Sequence, residues 1–392
     1  MRLLWLLSLR LAATRADTCA APTARIPAEN ACNATSLQLD CSEKYLSMIQ
    51  CGGITYLFSR KELIIPVNGE LVRKHEQRAR VSIGAGWTPS MPTSRAKVFG
   101  VSENTAYACV DDVLVAYGGI GEPRVRKVWP HAMRGDLKME SRGIWRREAI
   151  MTKGAGALLK WGRWARVMTP YAGGRLQQID GGKLSVTKFG DAWLLYGRAN
   201  GCGAQVARSR DGLAWAPFEP VLVDARFEFM VVSTIPIEFF QRMGLEGVGP
   251  WVLGCFPSFE GVACAPSVDG VTFAAPRLVV RGANIHIVDV DDALDGLWVY
   301  RGPTLGTNET ESAAAIRARL SGRCRADRDE ACENCYSPHM STLCPFSLTA
   351  RAAAVESGVE LVLAPTNGEA LRWVLPRHAR APWRLPQHAP LR

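Results

Sequence analysis

At 392 residues, the chain can bury one large hydrophobic core or two ordinary ones. Its 47% hydrophobic and 21% charged composition excludes an intrinsically disordered chain, and a formal charge of +10 draws attention to anionic partners. Twelve cysteines point away from the reducing cytosol, toward a compartment in which disulfides persist.

Residues 1–16, "MRLLWLLSLRLAATRA", combine a basic start, an apolar stretch and small residues before Ala16, the pattern of a cleavable secretory signal. No later segment approaches the ~18 apolar residues that a spanning helix needs. The mature chain is therefore expected to be soluble, and secreted or held in the lumen of the secretory pathway, with no membrane span. Two glycosylation sequons, at Asn33 and Asn308, agree with that route. Residues 17–60 are expected to form a cysteine-containing N-terminal segment, with Cys19, Cys32, Cys41 and Cys51, and residues 61–392 the main fold.

From there the chain reads as short strands. The pattern "DVLVAYG" (Asp112 on) recurs as "DAWLLYG" (Asp191), "GPWVLGC" (Gly249), "DGLWVYR" (Asp295) and "GVELVLA" (Gly358). Alternating apolar positions make these strands, and "GAQVARS" and "GVACAPS" read as return strands for the second and third. Each return strand runs into Ser-x-Asp-Gly-x-x-aromatic: "SRDGLAW" from Ser209 and "SVDGVTF" from Ser267, 58 residues later. Glycine permits positive φ there, and the aspartate can cap local backbone N–H groups, so the motif is a tight turn between the third and fourth strands of a repeated unit. "SRGIW" (141–145) and "NGEALRW" (367–373) are degenerate versions of it. Recurrence at such an interval indicates a repeat architecture. The fold expected is an all-β propeller of five four-stranded blades. A sixth blade stays open, because "GITYLF" and "ELIIPVNG" near the N-terminus also read as strands.

Two segments stand apart. Residues 124–166 hold twelve Lys or Arg against three acids, a solvated face or a dock for a polyanion. In this compartment an acidic or sulfated glycan is a better candidate than nucleic acid. Trp161 and Trp164 close that segment, where an indole can stack on a sugar or simply pack. Residues 306–346 read as a cysteine-rich insertion carrying Cys324, Cys332, Cys335 and Cys344. The irregular outer spacings favour disulfides among these four over zinc. In "LGCFPSFEGVAC", a turn about Ser258 to Glu260 would put Cys255 opposite Cys264, within the span that a disulfide bridges. No cofactor or metal is expected; phosphate loops, metalloprotease histidine pairs and nucleophile elbows are missing from the sequence.

The stretch "IDGGKLSVTKFGDAWLLYGRAN" (179–200), the paired turns and "PWVLGCFPSFEGVACAPSVDG" (250–270) resemble the five-bladed β-propeller glycosidases: arabinanases, levansucrases and invertases. The chain is similar in particular to uncharacterised secreted propeller proteins of microalgal type. The Ser-x-Asp-Gly turn also resembles the Asp-box of sialidases, a peripheral fold signature, which makes Asp211 and Asp269 structural. The resemblance implies glycoside hydrolysis by carboxylates on the innermost strands, facing a central funnel. Asp180, Glu228, Asp289 and Asp291 are the candidates, with Glu228 as proton donor and the aspartates as base and site organiser. Asp289 and Asp291 share one strand face, with His286 expected on the other. Trp161, Trp164, Arg175, Arg198 and His286 are the candidate sugar contacts. The sequence departs from the family in lacking the "NDPNG" and "RDP" signatures and any acid within residues 80–100. A non-catalytic carbohydrate-binding or adhesion propeller is accordingly the alternative to an enzyme.

Overall fold

The computed structural model describes residues 37–39, 43–67, 70–83, 86–87, 91–92, 105–120, 143–150, 159–168, 184–199, 203–223, 231–258, 261–281, 285–290, 296–301, 341–365 and 369–378. Their strands form five antiparallel sheets. In the first, β2 (Glu43–Cys51), β3 (Ile54–Val67) and β4 (Glu70–Ile83) run outward, and β5 (Gly86–Trp87) and β6 (Met91–Pro92) pair with β4. The second comprises β7 (Ala106–Val110), β8 (Val113–Ile120) and β9 (Gly143–Ile150), with β10 (Lys160–Trp161) and β11 (Ala165–Met168) both on β9. The third is β12 (Ser185–Phe189), β13 (Ala192–Ala199), β14 (Gly203–Ser209) and β15 (Glu219–Pro220). The fourth is β16 (Val231–Ile235), β17 (Trp251–Ser258), β18 (Gly261–Ser267) and β19 (Arg277–Arg281), with the short helix α1 (Ile237–Arg242) between its first two strands. The fifth holds β20 (Ile285–Val290), β21 (Gly296–Arg301), β22 (Ser341–Val355), β23 (Gly358–Pro365) and β24 (Leu371–Leu375). The N-terminal β1 (Leu37–Leu39) pairs with β22 in this last sheet.

Local chemistry sets the hairpins. Asp111 and Asp112 join β7 to β8 with φ of 50° and 61°, the left-handed pair that a two-residue turn requires and that aspartate tolerates better than most residues. The second strands are continuous apolar runs because both of their faces are covered. Leu114, Val115, Ala116 and Tyr117 of β8 are fully buried, as are Leu194 and Leu195 of β13 and Val252 and Leu253 of β17. Alternate residues serve different cores. Leu114 and Ala116 pack with Tyr56 and Phe58 of the first sheet, whereas Val115 and Tyr117 pack with Trp193 and Leu195 of the third. Leu194 and Tyr196 then meet Val252 and Phe256 of the fourth, and Trp251 and Leu253 meet Leu361 and Leu363 of the fifth. Each sheet thus packs on the next in chain order. The first strands contact one another in the same order, β2 with β7, β7 with β12, β12 with β16 and β16 with β20, and β20 returns to β2. A closed ring of radial sheets is a β-propeller.

The sheets do not coincide with the five copies of the strand pattern. Those copies are β8, β13, β17, β21 and β23, and the last two lie in one sheet. The cause is β22, whose 15 residues pair with β21 over Thr342–Ser347 and with β23 over Leu348–Val355. The remaining sheet is built by "GITYLF" and "ELIIPV" in β3, and the expected segment boundary at residue 60 falls inside that strand.

Two disulfides lie among the described residues. Cys255 and Cys264 oppose each other in the β17–β18 ladder with Cα atoms 4.1 Å apart, as the hairpin reading expects. Cys51 bonds Cys109, joining the end of β2 to β7 and so the first sheet to the second. The cysteines expected to bond among themselves between 324 and 344 lie outside the residues whose side chains are described.

Candidate functional site

The two repeated turns are superimposable in their hydrogen bonding. Ser209 Oγ donates to Asp211 Oδ1 (3.0 Å) and accepts from Gly212 N–H (2.9 Å), while Leu213 and Ala214 N–H donate to the same carboxylate oxygen (2.8 and 2.9 Å). Ser267 Oγ and Asp269 Oδ1 repeat this set with Gly270, Val271 and Thr272. The turns lie between third and fourth strands, where the sequence placed them. Each docks on the preceding sheet: Tyr117 Oη donates to Gly212 O (3.1 Å) and Tyr196 Oη to Gly270 O (2.8 Å). Trp215 packs edge-on against Tyr117, and Phe273 does the same against Tyr196. Partial burial alone would raise the Asp211 carboxyl, but the N–H donors of Ala214 and Leu213 and the Ser209 hydroxyl outweigh it and hold the group below its ordinary value. These aspartates are engaged in backbone capping.

Trp161 and Trp164 are also engaged. The Arg147 guanidinium lies 4.3 Å from the centroid of each ring, so the chain's own arginine fills the space between the indoles. The β-ladders explain the placement. Tyr107, Ala116 and Arg147 form a row across β7, β8 and β9, and the small Ala116 leaves a slot above the sheet. Phe58 enters it from the first sheet, stacked on Tyr107 at 3.7 Å, with Trp161 tilted against both. Burial lowers the Arg147 guanidinium to about 10, opposed by the nearby Tyr107, and leaves it charged at neutral pH. Burial likewise raises the Tyr107 hydroxyl well above its ordinary value. Of the two readings the sequence offered for these indoles, packing is the one seen here: both half-buried rings lie against a buried cation. Arg147 stands 14 and 17 positions from its two partners, and only the pleated register brings them together.

Asp180, Glu228, Asp291 and Arg175 lie outside the described residues. Asp289 and His286 occupy β20, and Arg198 lies in β13, at positions where the backbone alone is described. A β-bulge between Ile287 and Asp289 sets His286 opposite Tyr300 and Asp289 opposite Trp298, two residues apart on β21. The extra residue interrupts the regular ladder there. Among the described side chains of the first strands there is no carboxylate. Where β12 and β16 meet, the contact is made by hydroxyls. Thr187 and Thr234 hydrogen-bond at 2.9 Å, and Ser185 Oγ accepts from Val232 N–H at 3.0 Å. Asp180 precedes β12 by five residues, and Glu228 precedes β16 by three.

No protein-family model and no curated protein matches the chain. Among solved structures it is similar to the RS223 β-xylosidase, at 8% identity and a TM-score of 0.44, over 81% of this chain and 95% of that one. It is also similar to a Trypanosoma rangeli sialidase (10% identity, TM-score 0.38, 88% and 74% covered). A third likeness is to the GH43_1 enzyme of Xanthomonas citri complexed with xylotriose (11% identity, TM-score 0.43, 83% and 93% covered). Likenesses this distant carry no functional weight.

Proposed function

We propose that the chain is a secreted, glycosylated five-bladed propeller that hydrolyses glycosidic bonds, with Asp180 and Glu228 as its working carboxyl pair. The supporting observation is that Asp180 and Glu228 lie five and three residues before β12 and β16, neighbouring first strands joined through Thr187 and Thr234. Strands that occupy equivalent positions in successive blades run in the same direction, so the starts of β12 and β16 lie at the same end of the ring. Asp289 is the fifth residue of β20, so at ~3.3 Å per residue its backbone stands toward the other end. The chemistry is accordingly assigned to Asp180 and Glu228. Glu228, protonated, gives its proton to the departing sugar oxygen. Asp180, ionised, either takes a proton from the attacking water or attacks the anomeric carbon itself, depending on whether the separation is roughly 6.5–9.5 Å or 5–5.5 Å.

The sequence of residues 80–100, which contains no acid, favours a second reading, a propeller that binds glycans without cleaving them. Turnover decides between the two. Wild-type protein is assayed on aryl xylosides, arabinofuranosides and sialosides beside Asp180→Asn and Glu228→Gln. For the enzyme, each variant loses at least ~100-fold in kcat and retains binding, as expected on removal of an acid or base. Wild-type binding to oligosaccharides with no turnover on any of them would leave the binding propeller.

A further inference from the structure

Outside the ring's axis, the outer edge of the second sheet carries charge that the fold does not use. The described segments 143–150 and 159–168 contain Arg146, Arg147, Lys160, Arg163 and Arg166 against the single acid Glu148. Arg146 takes that acid, at 2.7 Å, and Arg147 is buried between the indoles. Arg163 and Arg166 are exposed, and neither forms a salt bridge among the described residues. They lie where the outermost strand is interrupted. β10 and β11 both pair with β9, and between them Gly162 N–H donates to Glu148 O at 2.8 Å while Trp164 turns inward over Arg147. Trp164, which packs over Arg147, separates Arg163 from Arg166 along the chain, and both arginines lie on this outer edge.

We propose that this edge binds an anionic polysaccharide, through sulfate or carboxylate groups recognised by Arg163 and Arg166. Guanidinium forks match the paired oxygens of those groups. The choice of a glycan over nucleic acid rests on the secretory reading above, supported by the Cys51–Cys109 and Cys255–Cys264 bonds. The surface is separate from the carboxyl pair proposed for hydrolysis, so an inactive enzyme that still binds here leaves the inference standing.

The test is binding of the full chain to heparin, polygalacturonate, neutral xylan and duplex DNA, at several salt concentrations. The wild type is compared with the Arg163→Ala/Arg166→Ala variant and with Arg242→Ala/Arg351→Ala, which removes two exposed arginines elsewhere. An exposed ion pair contributes roughly two- to five-fold. The edge variant should therefore bind heparin or polygalacturonate about five- to twenty-fold more weakly, with a shallower salt dependence, while the control variant stays near wild type. Equal losses in both variants, or no loss in the edge variant, would overturn the proposal. Duplex DNA bound as tightly as heparin through the same two arginines would also overturn it, in favour of nucleic acid.

Discussion

At the scale of single residues, Asp211 and Arg147 show how polar groups are tied into this fold. The Asp211 carboxylate accepts three hydrogen bonds that hold its turn closed. Asp211→Ala should cost about 1–2 kcal/mol, comparable to losing a helix N-cap. Because the folded carboxyl titrates below its ordinary value of 3.8, its contribution is complete above that value and disappears as pH falls through the depressed one. The gap in Tm between wild type and variant should then be constant from neutral to mildly acidic pH and shrink below about 3.8; a gap that widens on acidification would contradict this sign. For Arg147, two ring contacts at ~0.5–2 kcal/mol each, together with the space left behind, make Arg147→Ala cost about 2–4 kcal/mol. Denaturant titration followed by tryptophan fluorescence measures it, with Arg147→Lys expected to be milder. A change within 0.5 kcal/mol of zero would show that the sandwich contributes nothing.

At the scale of elements, the joints between sheets are specific. Tyr196→Phe removes the donor to Gly270 O, strands a buried carbonyl and should cost about 1 kcal/mol in denaturant unfolding. Gly270→Ala should be worse, because φ there is +72° and the new methyl would lie 2.6 Å from Leu194 Cδ1. Equal costs would mean that the turn does not dock as described. Arg208 adds a further tie, donating to Glu219 in its own sheet and to Asp269 O in the next. The Cys51–Cys109 bond closes a separation of 58 residues. Its replacement by serines should cost about 4 kcal/mol if unfolded-chain entropy dominates.

Local signals made some of these elements legible. The Ser-x-Asp-Gly turn was readable because serine, aspartate and glycine act within four residues of one another, and Cys255–Cys264 because a hairpin imposes its own register. Cys51–Cys109 was not, since the two cysteines lie in first strands of different sheets, β2 and β7. The engagement of Trp161 and Trp164 by Arg147 depends on a slot above Ala116 that no spacing reveals. The bulge before Asp289 leaves no composition signal either.

At the scale of the molecule, consecutive sheets share four cores, and the first strands close into a ring. Closure draws on both ends of the chain, with β1 hydrogen-bonded to β22 and β2 against β20. Ring closure gives the functional reading its geometric content, because it brings successive first strands around one axis. The central claim is that Asp180 and Glu228 meet at one end of that axis. A crystal structure of Glu228→Gln soaked with a xylo- or arabino-oligosaccharide measures this directly, as the distance between the side-chain carboxyl carbon of Asp180 and the side-chain amide carbon at position 228. The expected result is a separation of roughly 5–10 Å with the sugar between them. Side chains at opposite ends of the ring, or farther apart than one water and one sugar can bridge, would contradict it.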